Sequence, residues 1–126
     1  MAKNIVIVAL VFLLLLFAFL QNSYISSTYE ELSGAANQIQ EGISKNDVQR
    51  TNQSVDAFGR IWDENSDTWM SLMLHDQVDC VNKCYLLMKS FALNGDLAQA
   101  SVYLEQVKFA LLDVYNIDRL SIKNIL

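Results

Sequence analysis

Proline is absent from this chain, and glycine occurs only at positions 34, 42, 59 and 95. Sheets need turns, and turns are built largely on those two residue types, so the shortage argues against β architecture and for long helices. Basic clusters are missing as well: nine Lys and Arg stand against 14 acids, for a net charge of -5. That balance excludes nucleic acid as a partner and excludes docking on anionic lipid by charge. There is one histidine, His75, and two cysteines, Cys80 and Cys84. With no CxxC, no glycine-rich phosphate loop and no recognisable Ser, His and Asp frame, the sequence gives no support to an enzyme and implies no cofactor.

What the chain has in excess is hydrocarbon near its N-terminus. Ile5 to Leu20 reads IVIVALVFLLLLFAFL, sixteen apolar residues without interruption. At 1.5 Å per residue they span about 24 Å, somewhat short of a hydrocarbon core of roughly 30 Å. Lys3 would also suit the basic start of a cleaved secretory signal, but the following QNSYISSTY holds only a poor small-x-small site, Ser26 with Thr28, far from the run. The residues favour an uncleaved anchor, with Ala2, Asn4 and Tyr24 extending the span and Lys3 snorkelling to the interface. Lys3 and the α-amino group precede the run and Glu30 and Glu31 follow it, so the N-terminus is expected in the cytoplasm and the remainder outside. The chain thus divides into an anchor, 1–25, and one helical extracytoplasmic domain, 26–126.

Capping-box patterns at Ser27 to Glu30 and Thr28 to Glu31 predict a helix over 28–42, with Leu32, Ala35 or Ala36, Ile39 and Ile43 as its apolar stripe and Gly42 as its end. Ser44 to Asp47 offer the next cap. From Val48 an apolar stripe follows one helix face through 55, 58, 62, 69, 73, 80, 84, 87 and 91, and includes Trp62 and Trp69. The polar run Asp63 to Asp67 is the natural break, with Ser66 as a fresh N-cap. Beyond it a second arc, Met70, Leu74, Val81, Tyr85, Met88 and Ala92, makes this half apolar on two sides. Asn94-Gly95-Asp96 is the clearest turn, and the helix after it repeats Leu97, Leu104 and Leu111 with Ala100, Val107 and Val114. That is the seam of an antiparallel hairpin. The apolar tail Leu120, Ile122, Ile125 and Leu126 is expected to dock. The fold class is therefore all-α, a transmembrane helix followed by a helical hairpin or bundle.

Candidate chemistry is sparse. His75 and Asp79 lie at i,i+4 and could hold a metal or a proton, whereas Cys80 and Cys84 point some 140–180° away around the same helix. A structural His75 and free thiols facing a core are the readings the spacing favours, with a metal or an intermolecular bridge as the alternatives for the cysteines. Asp63, Glu64, Asp67, Asp76 and Asp79 have no base among them. They read as a solvated face, or as a site for a divalent cation or a basic partner. Since the hairpin offers one certain cover for two apolar arcs, a partner surface including Tyr85 and Met88 is expected.

The stretch from Trp69 to the C-terminus resembles an uncharacterised bacterial family, domain-of-unknown-function family 4363. The matching marks are Trp69 six residues before His75, the turn at Asn94-Gly95-Asp96 and the closing Leu120-Ser-Ile-Lys-Asn-Ile. Gln77 stands where the family pattern leads one to expect a glutamate. The resemblance implies a small membrane-anchored helical protein of Gram-positive bacteria and no assigned activity. The resulting expectation is a non-enzymatic interaction module, an accessory subunit in a membrane complex with a protein partner or a second copy. The alternative is a metal-binding or sensory ectodomain using His75 and Asp79.

Overall fold

The computed structural model describes residues 1–72 and 75–125, with side chains as far as Ile117. Four helices account for it: α1 (Ala2–Ser44), α2 (Val48–Leu72), α3 (His75–Leu93) and α4 (Leu97–Ile125). α1 packs on α2 and α4, and α3 packs on the same two, so the helices form a ring of four neighbours.

Named contacts fix the direction of each pair. Gly42 meets Thr51, and at the other end Tyr24 Oη donates to Asn65 Oδ1 at 2.6 Å, so α1 and α2 are antiparallel. Asn52 Nδ2 donates to the Ala92 carbonyl at 3.2 Å while Trp62 Nε1 donates to Asn82 Oδ1 at 3.4 Å, which runs α3 back along α2. Phe91 stacks on Tyr103, and Cys84 meets Gln106. Tyr29 stacks on Tyr115, and Lys108 donates to Gln40. The result is an up-down-up-down bundle in which every neighbour is antiparallel. The turns at 45–47 and 94–96 lie at one end; the start of the bundle part of α1, the α2/α3 junction and the last turns of α4 lie at the other.

One core runs down the bundle. It contains Ile25, Leu32, Ala36 and Ile39 of α1, Val55, Phe58, Trp62 and Trp69 of α2, and Val78, Val81, Tyr85, Met88 and Ala92 of α3. Ala100, Leu104, Val107, Leu111 and Val114 of α4 complete it, which is the predicted hairpin seam. Trp62 and Trp69 meet edge to face at 5.7 Å between ring centres. Gly95 takes φ 75 and Asp96 Oδ1 accepts the Gln99 N–H at 3.1 Å, so the predicted turn and cap both form.

Three sequence expectations give way. First, no helix begins at 28: α1 continues from the apolar run straight into the bundle. Nothing between Leu20 and Leu32 breaks a helix, and the Thr28 hydroxyl donates back to the Tyr24 carbonyl at 2.9 Å instead of capping. Secondly, Gly42 does not end the helix. It is buried where α2 crosses closest, and a methyl there would lie 2.7 Å from Thr51 Oγ1. The left-handed residue is Asn46, φ 52, and Asp47 Oδ1 caps α2 by accepting the Arg50 N–H at 3.0 Å. Thirdly, α2 runs unbroken through 63–67 to Leu72, so Ser66 caps nothing.

The longer α2 changes which arc of α3 is buried. Val81, Tyr85, Met88 and Ala92 turn inward, while Cys80 and Leu87 of the longer stripe are exposed. The expectations placed on Met73, Leu74 and the apolar tail from Leu120 fall outside the described side chains.

The first part of α1 stands outside this core. Every large apolar residue from Ile5 to Leu20 is exposed, and this is the one helix among the described residues long and apolar enough to cross a membrane. From Ala2 to Leu20 it measures about 28 Å, close to the thickness of a hydrocarbon core.

Candidate functional site

A groove of about 360 Å³ lies between α3 and α4. Asp76, Gln77, Cys80 and Cys84 form one wall, and Gln106, Phe109, Ala110 and Asp113 the other. The walls follow from helical spacing: 76, 80 and 84 repeat every four residues, and 106, 109, 110 and 113 recur at three and four, so each set forms one stripe. The two stripes face each other because the core takes the opposite side of each helix.

The groove is mostly apolar, with two carboxylates, two amides and two thiols as its polar groups. Cys84 Sγ lies 3.5 Å from Gln106 Oε1, with the thiol donating. Burial pushes the Cys84 thiol up, and the neighbouring Cys80 adds to the shift. Both cysteines are free. Cys80 is exposed, which corrects its expected core-facing placement, while Cys84 is half-buried and packs against the core. Gln77 Oε1 is buried and accepts no hydrogen bond, and Asp76 and Asp113 are exposed. Among the described side chains no Lys or Arg lines the groove.

Phe109 stands on the ridge between this groove and a smaller one of about 180 Å³ over α1, which Tyr29, Ser33 and Lys108 help to line. Lys108 there is engaged, donating to Gln40 and lying 3.8 Å from Glu105.

The sequence-predicted residues are not assembled into one site. His75 and Asp79 are both exposed on α3, and the structure draws no hydrogen bond or ion pair between them. Among the described residues no group of three His, Cys, Asp or Glu could hold a metal ion. Tyr85 and Met88 are not a partner surface but core: Met88 is fully buried, and Tyr85 stacks on Phe58 at 5.5 Å and lies over Gly59. Their arc had a cover within the chain, supplied by α2 and α4 together. Burial, with Asp63 and Asp56 adding, raises the Tyr85 phenol above its usual value. Phe109 was missed because it lies outside the hairpin seam. Its signal was an aromatic on the polar side of a helix whose other face is fully apolar.

Residues 19–125 match the family described as Domain of unknown function (DUF4363). The chain belongs to that family. The match takes in the entire bundle and only the last residues of the apolar run, so membership in DUF4363 speaks to the helical domain and not to the anchor. No curated protein and no solved structure matches the chain.

Proposed function

We propose that this DUF4363 protein is a non-enzymatic, membrane-anchored interaction module, an accessory subunit of a bacterial membrane complex, with its N-terminus cytoplasmic and its bundle extracytoplasmic. The observation that carries this reading is the continuity of α1, which passes from an exposed apolar span into the bundle core without a linker. A catalytic domain on a tether can work in any orientation. A bundle built on the anchor helix itself is held at one height and presents fixed faces to neighbours in the same membrane. That arrangement suits lateral recognition. The exposed apolar residues Leu86, Leu87, Val102 and Phe109 give such neighbours something to bind.

The test alters the phase between anchor and bundle while leaving both intact. Two alanines inserted between Leu20 and Gln21 rotate the bundle by about 200° on its anchor, whereas seven restore the original face to within about 20°. Gently solubilised full-length protein should run in a larger complex on native gels, lose it with two inserted residues and regain at least part of it with seven. Equal complex formation by both insertions would remove the case for a fixed face. A chain that runs alone from its own membrane, even after mild crosslinking, would end the interaction reading.

A further inference from the structure

α3 carries two apolar arcs, and the core uses one. With Val81, Tyr85 and Met88 turned inward, Cys80 and Cys84 are left to line the α3/α4 groove. On α4, Phe109 is 65% exposed beside Ala110. From Asp76 to Cys84 this strip is about 12 Å long, or a little over two helical turns. Its charges have one sign: Asp76 and Asp113 bring negative charge from opposite walls, among the uncharged Gln77, Gln106 and the two thiols. Charge calls for a cationic group, and the walls call for an apolar body.

We propose that this groove seats an apolar helix from a second membrane protein, placed so that one Lys or Arg of that helix meets Asp76 and Asp113. The proposal rests on the interaction-module reading and gives it a site and a partner chemistry. Length suits a helix, because apolar anchors at i, i+3 or i+4 and i+7 fill a strip of about two turns. Charge argues against a second copy docked face to face, since a two-fold interface would set the same aspartates against each other. Charge equally disfavours a lipid surface, whose phosphates would meet the same carboxylates. The groove also sits at the anchor end of the bundle: Asp113 is two residues from Tyr115, which stacks on Tyr29 of α1. A partner in the same membrane therefore needs only a short extension beyond the bilayer to reach it.

The test is photocrosslinking of the full chain in its own membrane, with a benzophenone amino acid at position 109 and sequencing of the attached peptide. The expected adduct is an apolar segment of another protein with a Lys or Arg within two turns of the crosslink. Asp76→Asn with Asp113→Asn should lower its yield about tenfold, and the bundle should melt as before because both carboxylates are exposed. A crosslink to lipid, to this chain itself or to an acidic segment overturns the proposal, and so does a yield indifferent to the two substitutions. If the protein migrates in a larger complex but position 109 attaches to no partner, the groove is wrong and the interaction reading stands. If it migrates alone, both fall.

Discussion

The two halves of α1 are one continuous helix and yet obey different rules. In the first, Ile5 to Leu20, every position is apolar and the large side chains are all exposed. In the second, Ile25, Leu32, Ala36 and Ile39 are fully buried while Glu30, Glu31 and Gln38 face solvent. Apolar quantity sends a helix into a bilayer, whereas apolar spacing sends it into a bundle. Leu13 and Leu32 are the same residue in the same helix, and only their neighbours at three and four positions decide which solvent each is built for.

That contrast can be broken most sharply with those two leucines. Leu32→Ala should cost the bundle about 2–5 kcal/mol, because it leaves a cavity against α2 and α4. Leu13→Ala should leave the bundle's stability unchanged. Denaturant unfolding of the full chain in detergent, followed by tryptophan fluorescence from Trp62 and Trp69, would read both, and equal losses would show that the halves are not distinct. The reciprocal experiment places a charge in the first half. Leu13→Arg should penalise membrane insertion by about 2.5–3.5 kcal/mol and shift protein to the soluble fraction, with the bundle's melting temperature preserved.

A smaller effect separates two glycines of the second half. Gly34 has open space around it, so Gly34→Ala should stabilise by about 0.5–1 kcal/mol through helix propensity alone. Gly42→Ala would put a methyl 3.0 Å from the Thr51 backbone nitrogen as well as against its hydroxyl, and should cost about 1–3 kcal/mol. Thermal unfolding of the two variants side by side should give shifts of opposite sign.

The smallest expected effect lies at the far end of α1. Lys45, hydrogen-bonded at 3.1 Å, holds the Glu41 carboxyl below its usual value, and Arg50 at 3.2 Å adds to it. Because the folded value is the lower one, the stabilisation is present above the ordinary glutamate range and is lost as pH falls through the lowered value. All three side chains are well exposed, so the effect should be slight and should shrink with salt. Glu41→Gln should flatten that part of the stability profile between pH 5 and 3; an unchanged slope would mean that the trio contributes nothing measurable.

Much of the bundle was legible without coordinates. The turn at Gly95 and the seam from Leu97 to Val114 are local signals: one left-handed glycine, one aspartate cap, and leucines seven apart. The stripe Leu32, Ala36 and Ile39 was equally clear, as was the inward placement of Trp62 and Trp69. The candidate site was much less so. Cys80, Cys84 and Phe109 acquire their shared groove only when α3 and α4 pair, and no spacing within either helix brings them together.

The sequence by itself determined that the chain is helical, where its apolar run lies and where the hairpin turns, because composition, hydropathy and turn chemistry act over a few residues. Only the tertiary structure decided that α1 has no joint between span and bundle, since Thr28 and Ser27 are compatible with either a cap or a helix interior until α2 and α4 pack alongside. It also decided which arc of α3 is buried. Two arcs of similar apolarity compete there, and the choice depends on where α2 ends: each residue by which the break moves turns the following helix by about 100° relative to the core. With α2 running on through 63–67 to Leu72, Tyr85 and Met88 went inside and Cys80 and Leu87 were left exposed.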